Sequence, residues 1–115
     1  MANTLHSLSR SAANNKSDVL KGTPRDDVLH GGLGHTTFYG GLGDDIYYSK
    51  NADDTIVEYA NEGNDTVYAD TTFTLPTHVE NLTLTGNGNT FGFGNNYNNI
   101  LIGNSGNNRL SGGRG

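Results

Sequence analysis

A nine-residue unit recurs in register through the middle of this chain, and few folds accommodate such a repeat. Four units follow one another: GTPRDDVLH (Gly22–His30), GGLGHTTFY (Gly31–Tyr39), GGLGDDIYY (Gly40–Tyr48) and SKNADDTIV (Ser49–Val57). After two extra residues, Glu58 and Tyr59, comes ANEGNDTVY (Ala60–Tyr68). Position 6 reads Asp27, Thr36, Asp45, Asp54 and Asp65, and position 8 reads Leu29, Phe38, Tyr47, Ile56 and Val67. Positions 7 to 9 hold β-forming residues. The glycines at positions 1, 2 and 4 permit positive φ and close backbone approach. The unit therefore predicts a short strand followed by a turn. Successive strand residues face opposite ways, so position 8 points inward and positions 7 and 9 outward. That puts Tyr39, Tyr48 and Tyr68 outside. Each coil then buries one small face against its neighbours, as in a solenoid.

Composition agrees with a stack better than with a layered core. At 115 residues the chain is at most one domain, 32% of it is apolar, and 17 Gly and 16 Asn make up more than a quarter of it. There is no Cys, which excludes disulfides and thiolate metal sites. The net charge is -5, with acids paired at Asp26-Asp27, Asp44-Asp45 and Asp53-Asp54. Nucleic acid and anionic membranes call for basic patches, so neither is an expected partner. No apolar run approaches the roughly 20 residues of a membrane span, and the N-terminus lacks the apolar core of a cleaved secretory signal.

Three zones flank or follow the regular units. Residues 1–21 are polar and read as a tail or a short capping helix; residues 22–115 read as the solenoid. Within it, 22–68 carry the regular repeats. Residues 69–93 break the pattern and predict two longer strands around Pro76, with Phe73, Leu75, Leu82 and Leu84 inward. Residues 94–115 resume the phase as GNNYNNILI and GNSGNNRLS, with Asn99 and Asn108 now at position 6. Amides can hydrogen-bond along a ladder with no counter-ion. The final Gly112-Gly113-Arg114-Gly115 opens another unit, which suggests a piece of a longer chain or self-association through the open C-terminal coil.

The G-G-x-G-x-D-x-U-x spacing of Gly40–Tyr48 and its neighbours resembles the RTX family, the haemolysin-type calcium-binding repeats of secreted bacterial proteins. The resemblance implies an all-β fold, a parallel β-roll in which two nonapeptides make one coil and turns eighteen residues apart share an edge. It also implies calcium ions held between such turns by position-6 Asp side chains and by backbone carbonyls. Calcium takes six to eight oxygen ligands of this mixed kind. Carried onto this chain, one site would use Asp27 and Asp45 with the carbonyls of Thr23, Arg25, Gly40 and Leu42. A second would use Asp45 and Asp65 with the carbonyls of Gly41, Gly43, Ala60 and Glu62. On the opposite edge Thr36 faces Asp54, and the missing carboxylate predicts a weak site there.

Two plainer readings compete with calcium. The Asp pairs could form a solvated acidic surface, but stacked carboxylates about 5 Å apart would repel without a cation. His30 and His35 could suggest zinc, although no further His or Cys supports them. No nucleophile elbow, HExxH helix or P-loop is present, so no enzymatic activity is expected. The expected function is a calcium-binding module that folds in extracellular calcium, as part of a larger type I-secreted bacterial protein. The alternative is a metal-independent structural or adhesive solenoid contacting sugar, ice or protein.

Overall fold

The computed structural model describes residues 5–8, 18–32, 34–59 and 63–113, and these hold twelve strands and no helix. The strands are β1 (Leu5–Leu8), β2 (Asp18–Lys21), β3 (Asp26–His30), β4 (Thr36–Tyr39), β5 (Ile46–Ser49) and β6 (Thr55–Val57). They continue with β7 (Thr66–Ala69), β8 (Phe73–Thr74), β9 (Asn81–Leu84), β10 (Phe91–Phe93), β11 (Ile100–Ile102) and β12 (Arg109–Ser111). Among the described residues no helix is long and apolar enough to cross a membrane.

Odd and even strands separate into opposite walls. The odd strands form one six-stranded parallel sheet in the order β1-β3-β5-β7-β9-β11. The even strands form two three-stranded sheets, β2-β4-β6 and β8-β10-β12. Apart from the break between β6 and β8, strands pair with the strand two further along the chain, which makes a parallel β-solenoid. Val28 pairs with Ile46, Thr37 with Thr55 and Gly92 with Leu110, each a step of one eighteen-residue coil.

The inward face follows from strand alternation. Leu29, Phe38, Tyr47, Ile56 and Val67 are all buried, so every position-8 residue of the regular units lies in one core. Phe73, Leu75, Leu82 and Leu84 join it, with Val79. Alternation carries a second consequence: position 6 lies two residues before position 8 and faces the same way. Asp27, Asp45 and Asp65 are therefore buried, with at most 1% of their surface exposed. A solvated acidic surface does not describe them.

Three features differ from expectation. Strands β1 and β2 occupy part of the segment read as a tail or capping helix, and β1 forms the end strand of the large sheet by pairing with β3. Parallel edges of β3 and β4 offer unpaired backbone groups that these segments satisfy. The strands around Pro76 are not longer than the rest: β8 has two residues and β9 four. The coil spacing also drifts. Ile46 pairs with Thr66, a step of twenty, and Thr66 with Asn81, a step of fifteen. The lengthened and shortened coils fall where the even wall is divided between β6 and β8.

Candidate metal centre

The position-6 side chains form a ladder along one edge of the six-stranded sheet. Asp27 N–H donates to Asp45 Oδ1 at 2.9 Å, and Asp45 N–H donates to Asp65 Oδ1 at 2.8 Å. Asp65 N–H in turn donates to Glu80 Oε1 at 2.7 Å. Each carboxylate thus clasps the backbone of the preceding coil. A second, exposed ladder runs the other way through position 5. Asp44 N–H donates to Asp26 Oδ1 at 2.7 Å, and Asn64 N–H to Asp44 Oδ1 at 2.8 Å.

The turns stack closely beside these ladders. Gly41 and Gly43 adopt φ of 81° and 97°, which L side chains rarely reach. A Cβ on Gly43 would sit 2.7 Å from the Arg25 carbonyl oxygen, and one on Gly41 would sit 3.1 Å from that of Thr23. A Cβ on Gly40 would sit 2.5 Å from Asp45 Oδ2. The position-1 glycine is thus required because the position-6 side chain folds back beneath it. The structure brings Thr23, Arg25, Gly40, Gly41 and Gly43 together around Asp27 and Asp45. Leu42 lies in the same turn with its side chain exposed, whereas Ala60 and Glu62 lie outside the described residues.

The oxygens left without hydrogen bonds mark where the electrostatic cost is concentrated. Asp45 Oδ2, Asp65 Oδ2 and Glu58 Oε1 are buried and have no partner. Ligand atoms of these three residues all lie within 4.8 Å of one another, in a grouping able to hold a metal ion. Burial pushes the Asp45 carboxyl from 3.8 up to about 8, against the pull of the Asp27 N–H; the nearby Asp65 and Asp27 charges push the same way. Burial also raises Asp65 and Glu58, whose carboxyl groups are close enough to share a proton. A proton or a cation has to sit among these oxygens, since facing carboxylates cannot donate to one another.

The comparison with known proteins decides what kind of cation. The family model for the RTX calcium-binding nonapeptide repeat matches four copies, over residues 13–47, 21–56, 59–71 and 84–115. This chain belongs to the RTX calcium-binding repeat family. No curated protein and no solved structure matches it. The family model reaches back to residue 13, beyond the first unit with a position-1 glycine at Gly22, and takes in β2.

Calcium is the ion of this RTX roll, and the donor set suits it. Hard carboxylate and carbonyl oxygens ligate calcium, while zinc prefers nitrogen and sulfur. The histidines are engaged elsewhere: His30 stacks on Tyr48 at 4.5 Å between ring centres, and His35 Nε2 lies 3.2 Å from Thr55 Oγ1. Tyr48 stacks further on Tyr68 at 5.1 Å, so the outer tyrosines partly pack on one another.

The other position-6 residues of the RTX roll are better satisfied. Asp27 accepts from its own turn, Thr23 N–H to Oδ2 at 2.6 Å and Thr23 Oγ1–H to Oδ1 at 3.0 Å. On the opposite edge Asp54 Oδ1 accepts from Thr36 N–H at 2.7 Å and Oδ2 from Ser49 Oγ–H at 2.7 Å. Burial raises Asp54 while those donors pull it back.

In the Asn-rich coils the ladder reverses its chemistry. Asn99 Oδ1 accepts from Asn95 N–H at 2.8 Å, while its Nδ2 donates to the Glu80 carbonyl at 3.1 Å and the Val79 carbonyl at 3.3 Å. Asn108 repeats this with Asn104 N–H at 2.7 Å and the Thr90 carbonyl at 3.0 Å. An amide both accepts and donates, so no cation is needed there. Asn99→Ala is expected to cost about 1–3 kcal/mol by stranding these groups. Thermal melts in calcium should fall accordingly while calcium affinity, read by titration calorimetry, stays unchanged, because the lost contacts involve no ion.

Glu58 and Glu80 belong to the site but escape a reading by repeat phase. Glu80 lies fifteen residues after Asp65, in the shortened coil, so counting by nine misses it. Glu58 sits in what reads as an insertion. A count of eighteen from Gly40 would have found it.

Proposed function

We propose that this RTX roll is a calcium-triggered folding module, working outside the cell as part of a larger secreted protein. The observation that carries the reading is the pair of buried, unpartnered oxygens on Asp45 and Asp65, on adjacent coils. Without a cation they destabilise a chain that has little apolar surface to bury. With calcium, binding energy becomes folding energy. At a calcium concentration tenfold above Kd each site contributes about 1.4 kcal/mol, enough to decide folding in a marginal domain.

We assign the principal ion to Asp45 and Asp65, with Gly41, Gly43, Ala60 and Glu62 supplying carbonyls. A further ion uses Asp27 and Asp45 with the carbonyls of Thr23, Arg25, Gly40 and Leu42. The Thr23 donors on both Asp27 oxygens favour the first assignment as the tighter one. Asp54, whose two oxygens are both hydrogen-bonded, ranks last. A low-calcium cytoplasm would leave the chain unfolded and fit for type I export, and external calcium would fold it. Leu110, at an inward position, is left exposed on the last coil, and a second copy stacking there would cover it. We assign no catalytic role to the roll.

A metal-independent solenoid is the second reading, favoured by the amide contacts of Asn99 and Asn108. Far-UV circular dichroism during calcium titration of chelator-stripped protein separates the two. A coil spectrum converting to β signal at about 0.1–1 mM calcium supports the folding module. A β spectrum that persists in chelator sinks it and leaves the scaffold.

A further inference from the structure

We propose that Glu58 is a third carboxylate ligand to the cation between Asp45 and Asp65, making this the first site to fill. This inference rests on the calcium reading above and adds a residue that the nonapeptide pattern does not supply. Strand β6 pairs with β4 so that Val57 lies beside Tyr39. The next residue, Glu58, is therefore in register with Gly40, and one coil further back with Gly22. Those two positions carry glycine because a Cβ there would collide with the position-6 carboxylate of its own turn. Here the coil is lengthened by two residues, Ile46 pairing with Thr66 across a step of twenty. A glutamate occupies the glycine place, and its side chain enters the turn interior, where a Cβ on Gly40 would lie 2.8 Å from Glu58 Oε2.

All three carboxylates are held in the same way. Asp45 and Asp65 each commit Oδ1 to a backbone N–H and leave Oδ2 unpartnered. Glu58 accepts the Tyr47 hydroxyl on Oε2 and leaves Oε1 unpartnered. The residues are 1%, 0% and 6% exposed respectively, so water does not readily reach those oxygens. Two oxygens on one calcium, each 2.3–2.6 Å away, lie at most about 5 Å apart. One carboxylate oxygen from each of Asp45, Glu58 and Asp65 lies within 4.8 Å of the others, a spread that admits a single ion. Tyr47 is a positioning residue: its buried hydroxyl donates to one Glu58 oxygen, which aims the other. Calcium affinity rises with the number of charged ligands. Three carboxylates should thus outbind the two of the Asp27–Asp45 site, and favour a trivalent lanthanide still more.

Calcium titration calorimetry on the full chain, with Glu58→Gln, Asp65→Asn and Tyr47→Phe, tests this. Terbium luminescence decay in H2O and D2O counts the waters on the bound ion. Glu58→Gln keeps the shape and is expected to weaken the tightest site about tenfold or more and to admit about one further water. Tyr47→Phe should weaken the same site by a smaller factor. If Glu58→Gln leaves affinity and water number unchanged while Asp65→Asn removes the site, Glu58 is no ligand and the calcium reading survives. Failure of the unaltered chain to bind calcium would overturn both. Should Glu58→Gln not fold in saturating calcium, Glu58→Asp decides. Recovery of calcium-induced folding supports a ligand role, and its absence overturns it.

Discussion

Asp45→Ala is expected to leave the chain without calcium-induced β structure even at about 10 mM calcium, well above the range of extracellular modules. Asp45 lies between Asp27 on one side and Asp65 on the other, and both proposed ions would use it. The substitution also strands the Asp27 N–H, which is buried and donates to Asp45 Oδ1. Loss of that bond costs about 1–3 kcal/mol, and two lost ions remove about 1.4 kcal/mol each at tenfold excess. The sum is comparable with the whole stability of a small domain. Asp45→Asn separates the terms, since it retains an acceptor for the Asp27 N–H while removing the charge. It should recover part of the fold but not its dependence on calcium. Circular dichroism with and without chelator reads both variants. A calcium-dependent transition in Asp45→Ala at the unaltered midpoint would exclude Asp45 as a ligand.

Protons and calcium are expected to compete for the same oxygens, and pH should act oppositely on the two states. In the metal-free fold burial raises the Asp45 carboxyl from 3.8 to about 8, so at pH 6 the folded chain holds a proton that the unfolded chain has released. Raising pH then favours unfolding. The contribution of this group is fully present below about pH 4 and is lost as pH rises through about 8. Calcium binds the ionised form, so its apparent affinity should climb with pH across that window, by up to about tenfold per unit for each proton displaced. Calorimetry at pH 7 in buffers of different ionisation enthalpy should register release of about one or two protons per ion at the tight site. Chelator-stripped protein should show less β signal at pH 9 than at pH 5. Calcium binding independent of both buffer and pH would mean that these carboxylates are already ionised and solvated.

The Asp27–Asp45–Asp65 ladder was legible in the sequence through the resemblance, which implies that like positions one two-unit coil apart share an edge; Asp65, twenty residues after Asp45, keeps the phase once Glu58 and Tyr59 are set aside. So was the core, since Leu29, Phe38, Tyr47, Ile56 and Val67 recur in a single phase. Glu58 was hidden by the same logic that revealed the others. Treated as an insertion between two units, it lay outside the numbering, although its neighbour Val57 was still in register with Tyr39. Glu80 was hidden by a coil three residues short of eighteen.

By itself, the sequence of this RTX roll determined the strand-and-turn unit, the inward positions, the calcium-type turns and the change to amides after residue 94. Each of these depends on residues within nine or eighteen positions, where β alternation and glycine sterics act locally. Tertiary structure alone decided which carboxylates face one another and which oxygens stay unpartnered. Those outcomes depend on how coils of twenty and fifteen residues settle against their neighbours. That settling is set by packing and backbone pairing between coils, which a repeat period does not encode.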